Sequence, residues 1–436
     1  MEPYNLVSFA GIFVIVGFAW LCSSHRKVVN WRVIVWGIGL QLVFALFIFV
    51  LPIGSKFFLM VNDAILAVLN SATEGTKFVF GRLALAPGEV NEYGETSLGS
   101  ILAFQGLAMV IFFAALVSAL YYLRVLPLAI RGFAWVFTRL MRISGAESLC
   151  ASSNIFVGVE SAILVKPHLN EMTKSELATV LAAGMGTIAS TVLAVYVFFL
   201  QGHMPTIAGH LVSASVLSAP AAVVMAKLII PETETPKTLG LNIKPHYERE
   251  DNLIMSVING ANSGLKLLAG IIALLIAFLG LLALLNLVLG WAGDILNSWF
   301  GWGLDWSFET FLGYLAYPFT LVLGIPPSDA FEVAKIIGER TVATEVVAYR
   351  HLSQLLAEGA LQHSRSSIIA SYALCGFAHI ASLAIFIGGI GALAPKRMKD
   401  LSRLGFRALL AATLACLMTG AVAGVFYTSS SILLNR

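Results

Sequence analysis

The chain has 436 residues, of which 58% are hydrophobic and only 12% are charged, and its formal net charge is +3 at pH 7. Soluble domains carry about 25% charged residues. A soluble fold of this length cannot bury so many apolar side chains, so the composition excludes an ordinary soluble protein and indicates a polytopic membrane protein. The small net charge says little about an acidic partner, and we expect no nucleic acid partner.

Eight stretches of the sequence have the roughly 20 mostly apolar residues that a membrane-spanning helix requires. They are 4–22, 32–52, 101–123, 177–201, 207–230, 264–290, 366–393 and 403–428. The first stretch has no basic leader and no small-residue cleavage site, so we interpret it as a retained span. The stretch 58–82 mixes apolar and charged residues at helical spacing, which fits either a helix along the membrane interface or a packed helix outside the membrane.

Two further apolar stretches, 144–170 and 308–357, are interrupted by Gly, Pro, Ser and charged residues. Each predicts two half-helices separated by a break. If both stretches return to the side from which they enter, and the N-terminus is outside, a large set of basic residues lies inside. These residues are Arg26, Lys27, Arg32, Arg124, Arg131, Arg139, Arg142, Lys166, Lys174, Lys237, Lys244, Arg249, Lys396, Arg397, Lys399 and Arg403. The positive-inside rule therefore favours an all-α multi-pass membrane protein with eight spans, two re-entrant hairpins and a periplasmic N-terminus.

A short phrase rich in small residues occurs twice, as GMGTIAS at 184–190 and as GFAHIAS at 376–382. The copies share Gly, Ile, Ala and Ser, and Thr187 in the first stands where His379 stands in the second. Each copy lies in the middle of a predicted span that follows a hairpin and precedes one more span, and the predicted topology gives the two spans opposite directions. This pattern is an inverted repeat, the layout in which transporters bind substrate near the membrane midplane.

Small and hydroxyl residues allow a helix to unwind within the membrane. Backbone groups freed in this way are tolerated only where they line a wet cavity or a ligand, and there they bind a cation or a polar solute. The alternative is that the small residues only permit close packing of helices. Two copies, each with an acid upstream, favour the binding role.

The upstream acids are Glu160 in the first predicted hairpin and Glu345 in the second. A charge at bilayer depth costs about 2.5–3.5 kcal/mol even on lenient insertion scales. Each carboxylate therefore requires a partner or a water-filled site. The alternative to a binding role is an ion pair, such as Glu345 with Arg350 or Glu339 with Arg340.

Several stretches together resemble the concentrative nucleoside transporter family over essentially the whole chain. They are NIFVG at 154–158 with the Glu160 that follows, LVKPHL at 164–169, MTKSEL at 172–177, GMGTIAS, GIPPSDA at 324–330, ATEVVAY at 343–349 and CGFAHIASLAIFIGGIGALAPKRMKDLSRLGFRAL at 375–409. The combination is specific, whereas each fragment alone is weak. The resemblance implies eight spans and two hairpins, a homotrimer in the membrane, and inward movement of a nucleoside coupled to sodium or, in some bacterial members, to protons.

The resemblance also implies a sodium site. The family's ligands map onto the side chains of Asn154 and Thr187 and onto the backbone carbonyl groups of Val157 and Ile188. All four positions keep suitable chemistry, because hard oxygen ligands suit a hard cation.

A substrate site is implied in the same way. Its residues are Gly158, Val159, Glu160, Val192, Thr344, Glu345, Phe377, His379 and Ser382. The resemblance implies that Glu160 acts on the base and Glu345 on the ribose hydroxyls, that Phe377 packs on the base and that Ser382 reaches the ribose.

Three positions depart from the family pattern. Where the family usually reads Gly-Gln-Thr-Glu, Gly158 is followed by Val159 and Glu160; its Asn-Glu-Phe is Thr344-Glu345-Val346 here, and its Gly-Phe-Ala-Asn ends in His379. Both acids survive while polar contacts change, so a modified nucleoside or a related polar solute is an alternative substrate. His379 either donates to a substrate hydroxyl, titrates in proton coupling, or is a neutral histidine bonded to the unwound backbone.

The sequence has no GxSxG, no HExxH and no P-loop, so we expect neither an enzyme nor an ATP-driven pump. We predict a secondary active symporter of the bacterial inner membrane that imports nucleosides or a nucleoside-like solute, with sodium as coupling ion and no other cofactor. Proton coupling, or a different small polar solute, is the alternative. The predicted domains are a scaffold at 1–143, a first transport repeat at 144–230, a linker with span six at 231–307 and a second transport repeat at 308–436.

Overall fold

The computed structural model describes residues 3–246 and 250–428, and within these residues the chain forms helices and no β-strand. The prediction of an all-α fold is confirmed. Arg249, which contributed to the predicted orientation, lies outside the described residues, as do the outer ends of the predicted domains 1–143 and 308–436.

Among the described residues, five α-helices and the 3₁₀ helix Gly81–Ala84 precede the first hairpin. The α-helices are α1 (Pro3–Leu21), α2 (Trp31–Phe49), α3 (Pro52–Phe80), α4 (Met109–Tyr122) and α5 (Val125–Met141). α2 begins where the side chain of Asn30 accepts a hydrogen bond from the backbone N–H of Val33. α3 begins at Pro52, whose fixed φ suits the first helical turn. The predicted spans 4–22 and 32–52 correspond to α1 and α2.

The predicted span 101–123 is helical only from Met109, so its first part is wrong. The buried amide of Gln105 donates hydrogen bonds to the carbonyl groups of Leu85 and Gly99, at 2.7 and 2.8 Å, and this holds the preceding residues in a loop. After Tyr122 the chain bends by 75° between α4 and α5.

The first repeat is built as its sequence pattern predicts. Its elements are α6 (Gly145–Ser153), the 3₁₀ helices Val159–Val165 and Leu169–Glu171, α7 (Lys174–Gly186), α8 (Ser190–Leu200) and α9 (Ile207–Ile229). The first hairpin therefore breaks at 154–158 and the fourth predicted span breaks at 187–189.

Two helices of the first repeat, α6 and α7, begin with a capping box. In α6 the pair is Ser144 and Glu147, and in α7 it is Thr173 and Glu176. The buried ammonium of Lys227 on α9 lies 2.5 Å from the Glu147 carboxylate. These bonds fix the entry of the hairpin against the following helices.

The sixth predicted span, 264–290, lies inside a much longer helix, α10 (Leu253–Phe300). No proline interrupts this stretch, and the helix ends at Gly301, whose φ of 69° is the left-handed conformation typical of a helix C-terminus. α10 packs on α4, where Gly260 and Gly264 allow the backbones to approach closely.

The second repeat differs from prediction at its start. Its helices are α11 (Phe308–Val322), α12 (Pro327–Val342), α13 (Glu345–Ala357), α14 (Ser364–Ala373), α15 (Ile380–Leu393) and α16 (Met398–Phe426). The stretch 308–357 therefore contains three helices, and the prediction of two half-helices is wrong. Gly324, with a φ of 80°, and the following Pro326 and Pro327 end α11 before α12 begins. The hairpin tip is the second break, at 343–344.

The two broken spans run in opposite directions. Past the end of α8, the Sδ of Met204 lies 3.9 Å from the Oγ of Ser371 on α14. Past the end of α15, the guanidinium of Arg397 donates to the carbonyl of Met172, just before α7, at 2.5 Å. Each broken helix therefore ends beside the other's starting half, as an inverted repeat requires.

Seven helical stretches among the described residues are long and apolar enough to cross a membrane, or up to eight if the bent pair α4 and α5 forms one span. They include Pro52–Ala84, which contains the stretch 58–82 that the sequence predicts as an interfacial or extramembrane helix. The seventh predicted span, 366–393, does not count by this criterion, because its break divides it into two shorter helices. The molecule is a multi-pass membrane protein, with α7, α9 and α16 at its centre and α10 at its surface.

Candidate functional site

The unwound segments of the two broken helices meet inside the molecule. Gly376 has a φ of 144°, which side chains rarely adopt, and its α-carbon faces the backbone carbonyl of Gly186 at the end of α7. The Sγ of Cys416 on α16 donates to the carbonyl of Cys375, at 3.0 Å, beside the same contact. The second copy of the repeated phrase thus requires its glycine for close backbone approach.

A cavity opens beside these segments and receives residues from both repeats. Every residue predicted for the substrate site lines it: Gly158, Val159, Glu160, Val192, Thr344, Glu345, Phe377, His379 and Ser382. The remaining lining residues are Ala189, Thr191, Leu267, Ile271, Leu274, Leu275, Val346, Ile385 and Phe386. The predicted set is therefore brought together in space, while its role stays a prediction.

Glu345 is the most enclosed charged group of the cavity, with only 3% of its surface exposed. It is the first residue of α13, where the helix dipole favours a carboxylate. The hydroxyl of Tyr196 on α8 donates to its Oε1 at 2.7 Å, and the Nε2 of His379 lies 2.8 Å from its Oε2. Two residues from two other helices therefore hold this carboxylate in place.

His379 connects the second broken helix to Glu345. It caps α15, because its Nδ1 accepts a hydrogen bond from the backbone N–H of Ser382 at 3.2 Å. An accepting Nδ1 carries no proton, so we assign the tautomer with the proton on Nε2, the atom that lies 2.8 Å from the Oε2 of Glu345. In this arrangement the imidazole bonds to the backbone of the first turn of α15, while the three alternatives for the role of His379 stay predictions.

Ser382 and Thr344, two hydroxyl residues of the cavity, differ in their hydrogen bonds. The Ser382 hydroxyl donates to the backbone carbonyl groups of Phe377 and His379. The Thr344 hydroxyl is buried and makes no hydrogen bond within the described residues. Thr344 therefore offers an unused donor and acceptor beside Glu345.

Glu160 differs from Glu345 in its surroundings. It lies in the first turn of the 3₁₀ helix that follows the first hairpin's break, and its side chain is exposed on the cavity. The opposite wall is apolar and comes from α10, through Leu267, Ile271 and Leu275. The site thus combines two acidic residues, one from each hairpin, with one apolar wall. This composition is typical of a small-molecule site.

The predicted cation ligands lie at the breaks of the first repeat. The backbone N–H of Ser190 donates to the carbonyl of Phe156 at 3.1 Å. The Ser215 hydroxyl lies 2.9 and 3.4 Å from the carbonyl groups of Ile155 and Ile188. These bonds join the break at 154–158, which contains Val157, to the break at 187–189.

Two side-chain oxygens at this junction are suited to a cation. Asn154 is fully buried, and its Oδ1 has no hydrogen-bond partner within the described residues, while its Nδ2 donates to the Cys150 carbonyl at 3.0 Å. The Thr187 hydroxyl donates to the Ala183 carbonyl at 2.9 Å, which leaves its oxygen free to accept. Both oxygens are neutral, because one belongs to an amide and the other to a hydroxyl.

Neither ion pair that the sequence offered as an alternative forms. Glu345 pairs with His379 and not with the exposed Arg350, so that alternative is wrong. The alternative with Glu339 is also wrong, since Glu339 lies 2.9 Å from the Nδ1 of His351.

Two further polar residues of this region are Arg340, which sequence reasoning considered only as a partner of Glu339, and Tyr196, which it missed. The fully buried guanidinium of Arg340 donates to the carbonyl of Ala373, at the end of α14, at 2.5 Å, where the helix dipole favours a cation. Tyr196 stacks on Tyr349 with ring centroids 4.5 Å apart. In the sequence Arg340 stood out only as a charge within the predicted second hairpin, and Tyr196 only as a polar aromatic inside an apolar run.

Comparison with known proteins matches three family descriptions to this chain. They are the C-terminus of Na⁺-dependent nucleoside transporters at residues 210–424, their N-terminus at residues 10–83, and a nucleoside recognition "Gate" at residues 103–202.

Relatives align over almost all of the chain. Mouse solute carrier family 28 member 3 is 40% identical over 97% of this chain and 59% of its own length. Rat sodium/nucleoside cotransporter 2 is 34% identical over 98% of this chain and 63% of its own length. The chain therefore spans about three fifths of the length of these curated relatives.

Among solved structures, that of CNTnw in an inward-facing substrate-bound state superposes with a TM-score of 0.85. It is 32% identical to this chain, and the match covers 97% of this chain and 98% of that one.

Proposed function

The chain belongs to the Na⁺-dependent nucleoside transporter family, and on this premise we propose that it is a secondary active symporter that imports nucleosides or a nucleoside-like solute with sodium. The observation that carries the proposal is the cavity shared by the two inverted repeats, in which Glu160 and Glu345 face a site with one apolar wall. Residues from oppositely oriented repeats around one midplane site are the arrangement used for alternating access.

The chemistry of the cavity supports a ligand with hydroxyl groups and a flat apolar part. The carboxylate of Glu345 accepts hydrogen bonds from hydroxyls, and charge-assisted bonds of this kind are the stronger ones. Phe377 and Phe386 supply aromatic faces for a base. In our proposal Glu345 binds the ribose hydroxyls and Glu160 the base.

Sodium as coupling ion is supported by the neutral oxygens of Asn154 and Thr187 at the junction of the two breaks. A hard monovalent cation is bound by such side-chain and carbonyl oxygens. The hydrogen bond at the Nδ1 of His379 also favours sodium over a proton as the coupling ion. A proton on Nδ1 would break this bond, which caps α15. We therefore prefer sodium to the alternative of a proton.

The decisive experiment measures accumulation of radiolabelled nucleosides in proteoliposomes with an inward sodium gradient. We expect gradient-dependent uptake by the wild-type chain and its loss in Glu345→Gln, because the amide is no longer a charged acceptor. Glu358→Gln, at the exposed far end of the same helix, is the matched control and should transport normally. Uptake that neither the sodium gradient nor Glu345→Gln alters would overturn the proposal.

A competitor panel identifies the solute class. Val159, Thr344 and His379 replace polar or amide residues of the family pattern, so modified nucleosides belong in the panel beside the common ones. Inhibition by nucleosides but not by free bases or ribose is the expected result. Inhibition only by solutes that lack a nucleoside-like structure would favour a carrier of a different small polar solute.

We also propose a homotrimer in the bacterial inner membrane with its N-terminus in the periplasm. The positive-inside pattern supports the orientation. The broad apolar surface of α10 supports association with other copies or with lipid.

A further inference from the structure

Two adjoining crevices, of about 940 and 280 Å³, lie between α5 and the loop 239–244. Both contain Trp135, Thr138 and Asn242. We call the two crevices together the basic crevice, because they are lined by five basic residues: Arg32, Arg131, Arg139, Arg142 and Lys244. No Asp or Glu is among the described residues that line either crevice. The feature is separate from the transport cavity.

Among the described residues, no acidic side chain neutralises the charge of the basic crevice. Of its five basic side chains, only that of Arg32 makes a hydrogen bond within residues 3–246 and 250–428. It donates to the Leu140 carbonyl at 3.0 Å and to the Arg139 carbonyl at 3.4 Å. The other four basic side chains make no ion pair there. Acids of the neighbouring hairpin are used elsewhere, since Glu147 lies 2.5 Å from Lys227 and Glu171 lies 3.0 Å from Lys237. The crevice therefore presents concentrated positive charge to an outside anion.

Exposed apolar groups surround this charge. Trp135, between the two crevices, is 56% exposed, and Leu128 on the same helix is 73% exposed. A third crevice further along α5, of about 590 Å³, combines Arg124 and Arg131 with Leu128, Leu164 and other apolar residues. A free phosphate requires no such apolar surface, whereas the acyl chains beside a lipid headgroup do.

The position of α5 matches a membrane interface. The 75° bend after α4 turns α5 away from the direction of the preceding apolar helix. Arg32 lies in the first turn of α2, at the end of a predicted span. A helix with basic residues, an exposed Trp and exposed leucines at such a place is typical of the interface.

Arg142 supplies a second observation. It ends α5 with a φ of 57°, the left-handed conformation that Gly or Asn usually occupies at a helix C-terminus. For a residue with a side chain larger than that of Gly or Asn, this backbone conformation costs about 1–2 kcal/mol of conformational free energy. A strained arginine on the rim of the crevice is explained if its guanidinium is needed there.

We propose that the basic crevice binds the phosphate headgroup of an anionic phospholipid, with the acyl chains against Trp135 and Leu128. Planar guanidinium groups suit bidentate bonds to phosphate oxygens. Each basic residue near an anionic lipid surface contributes about 1 kcal/mol. The site does not depend on the identity of the transported solute.

The test is native mass spectrometry and thermal unfolding of the full chain, first in zwitterionic phosphatidylcholine and then with added phosphatidylglycerol. We expect retained phosphatidylglycerol adducts and a raised Tm. The triple variant Arg131→Gln, Arg139→Gln, Arg142→Gln should weaken adduct retention at least about tenfold while keeping the wild-type Tm in phosphatidylcholine.

The matched control removes the same charge from another basic segment, as Lys396→Gln, Lys399→Gln, Arg403→Gln. All three control residues are exposed. Wild-type lipid retention in this control supports a specific site. Equal loss in both triple variants shows general attraction to a charged surface and overturns the proposal. Equal stabilisation by inorganic phosphate without anionic lipid overturns it as well.

Discussion

Glu345 illustrates how single residues define this site. Its carboxylate is buried, and its neighbours Tyr196 and His379 both reach it from other helices. The hydrogen bond from the Tyr196 hydroxyl stabilises the charge without cancelling it, so the carboxylate stays an acceptor for ligand hydroxyls. An arginine or lysine in the same place would have formed a closed ion pair.

Thr187 carries the most specific prediction at the residue scale. Thr187→Val keeps the shape of the side chain but removes the oxygen that we propose as a sodium ligand. We expect the sodium concentration for half-maximal uptake to rise about tenfold, which corresponds to about 1.4 kcal/mol. The measurement is nucleoside uptake as a function of sodium concentration.

Thr179→Val is the control for this prediction. Thr179 is also buried on α7 and also donates to the carbonyl four residues earlier, that of Ser175 at 3.0 Å. It lies about two turns from the break, so its loss should leave the sodium dependence unchanged. Equal effects of the two substitutions would argue for helix distortion and against a ligand role of Thr187.

Helices at this site are built to be discontinuous. α7 ends at Gly186, with Thr187 already extended, and α8 begins at Ser190. α14 ends at Ala373 and α15 begins only at Ile380, with His379 as its cap. Because no lipid-exposed backbone tolerates such gaps, both breaks lie in the interior.

Gly376→Ala tests the second break at the element scale. At a φ of 144° and against the Gly186 carbonyl, the added methyl group strains the backbone and forces the two broken helices apart. We expect a loss of about 1–3 kcal/mol in stability, measured as a lower Tm in detergent. Gly388→Ala on α15 meets open space and should leave the Tm equal or slightly higher. An unchanged Tm in Gly376→Ala would show that the two segments do not pack as described.

At the scale of the whole molecule, α10 is the exceptional element. Its 48 residues correspond to about 72 Å of helix, far more than the roughly 30 Å of a bilayer's hydrocarbon core. One side packs on α4 and reaches the cavity, while Ile276, Leu281 and Leu284 on this helix are at least 60% exposed. Such a surface is covered by lipid or by another copy of the chain.

The proposed trimer predicts a mass of three chains in native mass spectrometry. Leu281→Ala with Leu284→Ala should raise the monomer fraction, because both side chains lie on the exposed surface of α10. Leu6→Ala with Val14→Ala removes exposed apolar groups from α1 and is the control. A wild-type chain that remains a single copy under gentle conditions would contradict the trimer.

Local sequence signals determined most of the architecture. Apolar length predicted α1, α2, α9 and α16, and the repeated small-residue phrase predicted both broken spans, because these signals lie in neighbouring residues. Local signals failed where a distant contact intervened, as when Gln105 bonds to loop carbonyls and shortens α4. In the stretch 308–357, the sequence showed that the chain breaks near Gly324. It did not show that this break separates α11 from the hairpin formed by α12 and α13.

The tertiary structure alone decided which side chains share the site. Tyr196 and Glu345 are separated by 149 positions, and no spacing rule predicts their hydrogen bond. Their meeting depends on how two broken helices cross, which is fixed by close packing at Gly186 and Gly376. The sequence by itself thus determined where the chain must unwind and which acids lie nearby. Only the crossing of the helices decided that His379 and Tyr196, and not Arg350, hold Glu345.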